Sequence, residues 1–255
     1  MSRSRTPGSI ARPNAIGFTR GAIDGMALSW VNITTVQIGI GLARDINDAS
    51  NIELIATQNV VITASGINGL DTGSEASSTW YSVWVVSGTS GVGGLLSTHA
   101  TAPTLPAGYA SAKRRIGWVY NHSDDDIQNF NQTGTGRDRT IWWNETGVNY
   151  MKILDAATSY GSWTLVDVSS RVPATAHTMH LISYNTSGSA TAGRLKPGDY
   201  LPVDTSSVGW SVNAESQSRY QNQEMPCATN KSFRYYTDSA AVDITVIMQG
   251  WVETV

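Results

Sequence analysis

Four histidines, one cysteine and a short acidic run are the residues from which chemistry could be built in this chain. His177 and His180 stand three apart in a stretch that alternates like a strand. That spacing puts them on opposite faces and spoils them as joint metal ligands. His99 and His122 fall in loop contexts without a cysteine–carboxylate cluster nearby. Asp124, Asp125 and Asp126 form the densest acidic run, yet a calcium site needs six or more converging oxygens, and consecutive side chains diverge. A solvated turn is the simpler expectation there. Cys227 follows Pro226 with no flanking base or cation pair to sharpen a thiolate. No nucleophile elbow, phosphate loop or dinucleotide fingerprint occurs. Gly91-Val-Gly-Gly and Gly134-Thr-Gly-Arg are glycine-rich but lack the strand-then-helix setting that supplies donors to a phosphate. The chain is therefore expected to hold no catalytic residues, no metal and no cofactor.

Aromatic residues are the remaining signal, with 9 Trp and 10 Tyr against 3 Phe. Trp and Tyr join an apolar body to a hydrogen-bonding tip, which suits boundaries that are partly wet. Trp30, Trp84, Trp118 and Trp163 are expected to fill cores. Trp142 and Trp143 are adjacent on one strand, so only one of them is expected to point inward.

The elements that would position these side chains are strands. From Ala27 the apolar period is two: Val36, Ile38, Ile40 and Leu42 fall on one face of an expected strand. Further strands follow at Thr79-Trp-Tyr-Ser-Val-Trp-Val-Val, at 113–120 and at 127–131, the last two as a hairpin turning at 121–126. A second pair is expected around an Asn144-Glu-Thr-Gly turn. No segment carries a helical period, so the fold class is all-β: two β-sandwich or jelly-roll-like domains, 26–158 and 159–255. Residues 1–25, rich in Gly, Pro and Arg, read as an extended arm and docking segment. Six Asn-x-Ser/Thr triplets, at Asn32, Asn121, Asn131, Asn144, Asn185 and Asn230, are frequent enough by chance in so Asn-, Ser- and Thr-rich a chain to carry no weight.

Composition narrows the function classes. Charged residues make up 15 %, below the roughly 25 % of ordinary soluble chains. A net charge of −3, with 17 basic residues, argues against nucleic-acid binding, which needs clustered cations to displace phosphate counterions. No apolar run approaches the ~20 residues that span a bilayer, so no membrane insertion is expected. The basic start, Met1-Ser-Arg-Ser-Arg, continues into Thr6-Pro-Gly-Ser-Ile rather than the apolar stretch of a secretory leader. One cysteine allows no internal disulfide.

Thr79-Trp-Tyr-Ser-Val-Trp-Val-Val, Thr101-Ala-Pro-Thr-Leu-Pro-Ala-Gly-Tyr and Arg114-Arg-Ile-Gly-Trp-Val-Tyr, in that order, resemble a β module of tailed-bacteriophage fibre and other virion appendage proteins. The resemblance extends in patches to Trp163-Thr-Leu-Val-Asp-Val and Ile244-Thr-Val-Ile-Met-Gln-Gly-Trp, while the arm does not match. It implies a structural protein of the virion, a tail or head fibre or spike exposed on the particle, commonly a homotrimer, with the arm contacting other virion proteins. A capsid decoration or vertex protein is the neighbouring reading, a carbohydrate-binding module the alternative of another class, and a depolymerase a further one that would need an acidic pair. The closing strand points to the trimer too: Val242, Ile244, Val246 and Met248 suit the core, leaving Ala241, Asp243, Thr245, Ile247, Gln249 and Trp251 for an interface. Host contact, with a surface glycan or protein, is expected on the polar connections 185–193 and 216–225, with Tyr184, Trp210, Tyr220 and Tyr235 as rings able to stack on a sugar.

Overall fold

Every regular element among the described residues of the computed structural model is a β-strand, as the absence of a helical period predicts. The structure describes residues 20–134, 136–144, 152–185, 193–199, 210–212 and 221–255. Most of the expected arm therefore lies outside the described residues. Its last three residues do not: Ile23–Gly25 is strand β1, paired with β4 (Gly41–Arg44), with Ile23 buried.

The first part of the chain is a three-stranded meander bent at a corner. β1, β4 and β5 (Asn51–Leu54) form one limb, and β2 (Leu28–Asn32), β3 (Thr35–Ile38) and β6 (Gln58–Val61) the other. Across the corner the Met26 N–H donates to the Ile40 carbonyl and the Gly39 N–H to that of Ala27. Gly25 turns with φ +74°, and a Cβ on Gly41 would lie 2.4 Å from the Asp24 carbonyl oxygen, so the approach needs glycine. The bend also corrects the single strand expected over 36–42. Val36 and Ile38 face the core, but Ile40 sits at the corner, 59 % exposed, and inward alternation resumes at Ala43.

Aromatic and β-branched residues make β7 (Thr79–Gly88) the centre of a second sheet, flanked by β8 (Gly91–Ser97) and β9 (Ala112–Asn121). The hairpin expected over 113–131 does not form. β9 spends its whole length on β7, and β10 (Phe130–Thr133) pairs instead with β11 (Asp138–Trp143). Only the bridge Asn121–Ile127 survives of the expected pairing.

β19 (Ile244–Thr254) organises the third sheet. One edge runs along β14 (Ala176–Asn185), which in turn pairs with β17 (Gln221–Pro226). Its other edge is shared end to end by β12 (Lys152–Ala157) and β11. Strands from both sides of residue 158 thus belong to one sheet, so the boundary expected there does not divide it. The Asn144 turn lies outside the described residues beyond its first residue, and β11 and β12 meet β19 rather than each other. A last sheet runs β13 (Thr164–Asp167), β18 (Ser232–Thr237), β15 (Gly193–Pro197), β16 (Trp210–Val212). One apolar cluster runs from Ile23 to Val255 through these sheets.

β19 also corrects the expected interface face. Val242, Ile244, Val246 and Met248 are buried as expected. The register with β14 slips between His180 and Leu181, leaving an extra residue on β19 between Met248 and Gly250. That bulge reverses the alternation, so Trp251 joins the core at 0 % exposure. Thr245 and Ile247 are buried as well, so much of that face is covered within the chain itself.

Candidate functional site

Two strand edges that do not pair with each other frame a hollow of the described surface. β2 is the edge of its limb and β10 the edge of the β19 sheet. Side-chain bonds and one backbone bond outside the ladders bridge them. The Trp30 indole Nε1 donates to the Ile127 carbonyl at 2.9 Å, the Ile127 N–H to the Ile33 carbonyl at 2.6 Å, and the Leu28 N–H to Gln132 Oε1 at 3.2 Å. Between these ties lie two adjoining hollows of about 220 and 310 Å³ that share Trp30 and Asn129.

The smaller hollow is acidic. The turn after β9 brings Asp124 and Asp126 to its rim, closed by the His122 N–H donating to the Asp126 carbonyl, with Asp125 in the left-handed region at φ +65°. His122 Nδ1 lies 2.8 Å from Asp124 Oδ1, and this hydrogen bond holds the Asp124 carboxyl below its ordinary range. The larger hollow is lined by amides: Asn129, Asn131, Gln132 and Asn144, opposite Ser29. The Asn144 N–H donates to the Asn129 carbonyl, which fixes the two at one end. Among the described residues neither hollow is lined by Lys or Arg.

A second arrangement crosses the β19 sheet. Trp142, Gly250, His180 and Glu224 stand in register on four neighbouring strands. Glycine in the row leaves room for the Trp142 and His180 rings to stack, centroids 4.4 Å apart and 29° from parallel. His180 Nδ1 lies 3.7 Å from Glu224 Oε1, and its buried Nε2 has no partner. Burial pushes the imidazole down from its usual value, against the opposing pull of Glu224. A histidine beside a carboxylate orients a base, yet among the described residues no hydroxyl or thiol bonds this ring. Trp143, the neighbour of Trp142, is 9 % exposed and points inward, so the pair splits as its adjacency predicts.

The deepest ionisable groups tie strands together. Arg139 of β11 is fully buried; its Nη1 donates to the Met26 and Ile116 carbonyls, its Nη2 to Gly25 and its Nε to Gly136, all between 2.8 and 3.2 Å. Loss of water lowers its guanidinium to about 10. Across the ladder stands Glu253, also fully buried. The Trp118 indole donates to Thr175 Oγ1, which donates to Glu253 Oε2 at 2.7 Å. Burial raises the Glu253 carboxyl in spite of that bond and of Arg115 and Arg139 nearby. Fully buried and tied to neighbouring strands, the cluster acts as a fastening.

Of the rings expected at a host-contact surface, the described residues place the side chains of Tyr184 and Tyr235. Tyr184 is half-buried on β14 against the main core. Tyr235 is 7 % exposed on β18, its hydroxyl donating to the Thr158 carbonyl, which withdraws it from any surface stacking role. Trp210 stands in β16, in one row with Leu195 and Tyr235. Tyr220 lies outside the described residues, as do 186–192 and 216–220 of the two expected loops. Residues 221–225, expected to be loop, are strand: Gln223 and Met225 turn inward from β17. His99 is exposed and His177 is apart from His180 across the strand. Cys227 is half-buried, with burial raising its thiol. Among the described residues no group of three or more His, Cys, Asp or Glu could hold a metal ion. Asn121 and Asn185, from the Asn-x-Ser/Thr triplets, are buried in the folded chain.

Trp30, expected in a core, packs against it and is partly buried, and its remaining surface walls the groove. Nothing local marks it, because its partners at 122–132 lie about a hundred residues along the chain.

No protein-family model matches the chain, and no curated protein matches it. No helix among the described residues is long and apolar enough to cross a membrane.

Proposed function

We propose that the chain is a structural protein of a tailed-bacteriophage virion, a tail or head fibre or spike exposed on the particle. The observation that carries this reading is the use made of buried charge. Arg139 fastens four backbone carbonyls from three segments of chain, and Glu253 is anchored through Thr175 to Trp118. Such fastenings suit a frame that must stay folded while projecting from a particle, since removing one partner exposes the others to an uncompensated burial cost. Low charge and a β frame continuous across residue 158 support it, as does the resemblance at 79–120. On this reading the chain associates as a homotrimer, and its amino-terminal segment contacts other virion proteins. The face first expected for the trimer is largely filled from within, so the contact falls on another surface.

Antibody to the purified chain, applied to particles released from cells that encode it, tests the reading. Label at an appendage is the expected result. Label over the head lattice would favour a decoration protein, and label confined to the particle-free supernatant would refute a virion role. Light scattering reports the association: the trimer requires three times the 27.4 kDa chain mass.

A further inference from the structure

We propose that the groove between β2 and β10 is a saccharide site, and that its ligand is an uncharged hexopyranose oligomer lying across Trp30. The inference does not depend on the virion reading.

Three features of the groove select this ligand. Trp30 is pinned by its indole hydrogen bond to the Ile127 carbonyl, so its ring is held at a fixed angle where the two hollows meet. A rigid, partly buried indole whose remaining surface lines both hollows presents an apolar face to the axial C–H groups of a pyranose at small entropic cost. The amides of Asn129, Asn131 and Asn144 line the groove, and no side chain among the described residues occupies them by hydrogen bonding. Each amide donates and accepts, which matches the paired donor and acceptor character of neighbouring sugar hydroxyls. Two hollows meeting at one ring suit successive sugar units of a chain better than a single compact ligand.

Charge decides between classes of glycan. Asp124 and Asp126 rim one hollow, and no Lys or Arg among the described residues lines either. A uronic acid, sialic acid or phosphorylated sugar would bring like charge to that rim, and nothing there would neutralise it. The same argument excludes a nucleic acid strand, which would otherwise be a candidate for any aromatic groove.

The test uses the whole chain against linear hexamers of glucose, galactose and mannose, with a polyuronic acid hexamer of equal length, followed by calorimetry and indole fluorescence. At least one neutral hexamer is expected to bind, and the polyuronate about tenfold or more weaker. Trp30→Ala is expected to weaken the neutral ligand at least about tenfold. Trp30 also bonds to Ile127, so a paired Asn129→Ala, Asn131→Ala variant, with melting as the folding control, provides an independent reading of the same groove. Asp124→Asn with Asp126→Asn is expected to narrow the gap between neutral and acidic hexamers. Failure of every hexamer to bind, binding unchanged in both the Trp30 and amide variants, or equal affinity for the polyuronate would each overturn the proposal. A chain found on particles but blind to every hexamer would refute the groove and leave the virion reading. Hexamer binding by a chain absent from particles would do the reverse.

Discussion

Replacing Arg139 by Met removes the guanidinium while keeping much of the side-chain volume. In the folded chain this orphans the Gly25, Met26, Ile116 and Gly136 carbonyls, two of whose bonds are wholly buried. Each buried polar group left unpaired costs ~1–3 kcal/mol, and breaking a buried ionic arrangement by deleting one partner costs ~3–5 kcal/mol in total. Glu253 loses its cross-strand cation at the same time. The desolvation that lowers Arg139 to about 10 works the other way, since the variant no longer buries a cation. The cost is therefore expected near ~3–5 kcal/mol rather than the larger sum of the separate bonds. For a chain of this size ~1 kcal/mol moves the melting temperature by ~2–4 °C, so a fall of roughly 6–20 °C is expected. Differential scanning calorimetry with urea unfolding measures it, and Arg20→Met, a side chain 94 % exposed, is the control that should change little. Arg139→Lys should recover only part of the loss, because one ammonium cannot span carbonyls arranged around a planar fork. If Arg139→Met unfolded within ~0.5 kcal/mol of the parent, the size of an ordinary surface change, the fastening role would be wrong.

Three further outcomes follow from the same packing. Glu253 has a folded carboxyl above its unfolded value of 4.5, so the folded state holds the proton longer. Its contribution must fall as pH rises from about 4.5 through the folded value, and the difference between parent and Glu253→Gln should grow in the variant's favour over that window in pH-dependent urea unfolding. His180 has the opposite sense: its folded value lies below 6.5, so the parent loses stability relative to His180→Gln as pH falls below about 6.5, until the folded ring also protonates. An unchanged difference across the window in either comparison would remove that attribution. Gly250→Ala places a Cβ 2.0 Å from the Ile141 carbonyl oxygen and should cost ~3 kcal/mol or more by thermal melting, whereas Gly136→Ala meets nothing within 4 Å and should stay within ~0.5 kcal/mol.

Much of the architecture follows from short-range pattern. Aromatic and β-branched content at 79–86 and the period of two at 242–248 mark strands, and the all-β class needs nothing more. Trp142 and Trp143 had to part company because adjacent strand residues face opposite ways. Partners and parity over longer spans are different in kind. β9 continues along β7 and leaves β10 to β11, a choice between competing edges that only long-range pairing settles. Gln221–Pro226 looks like a polar loop but becomes a strand because β14 offers it an edge and a core behind Met225. Ile40 is turned outward by a corner whose bonds come from Met26 and Ala27.

The groove and the fastening belong to that second kind. Trp30 packs on the core as its type suggests, and only the meeting of two unpaired edges sets its remaining surface beside the Asn129 and Asn131 amides. Arg139 and Glu253 look like solvated charges at 138–140 and 252–254. Strand alternation assigns them a face, but only the packing of β1, β9 and β11 makes that face the inside. On β19 a single extra residue at Gln249 reverses the side to which Trp251 points. Local pattern determines that a strand has two faces; which face is buried depends on the sheet laid against it, and that is decided by contacts a hundred residues away.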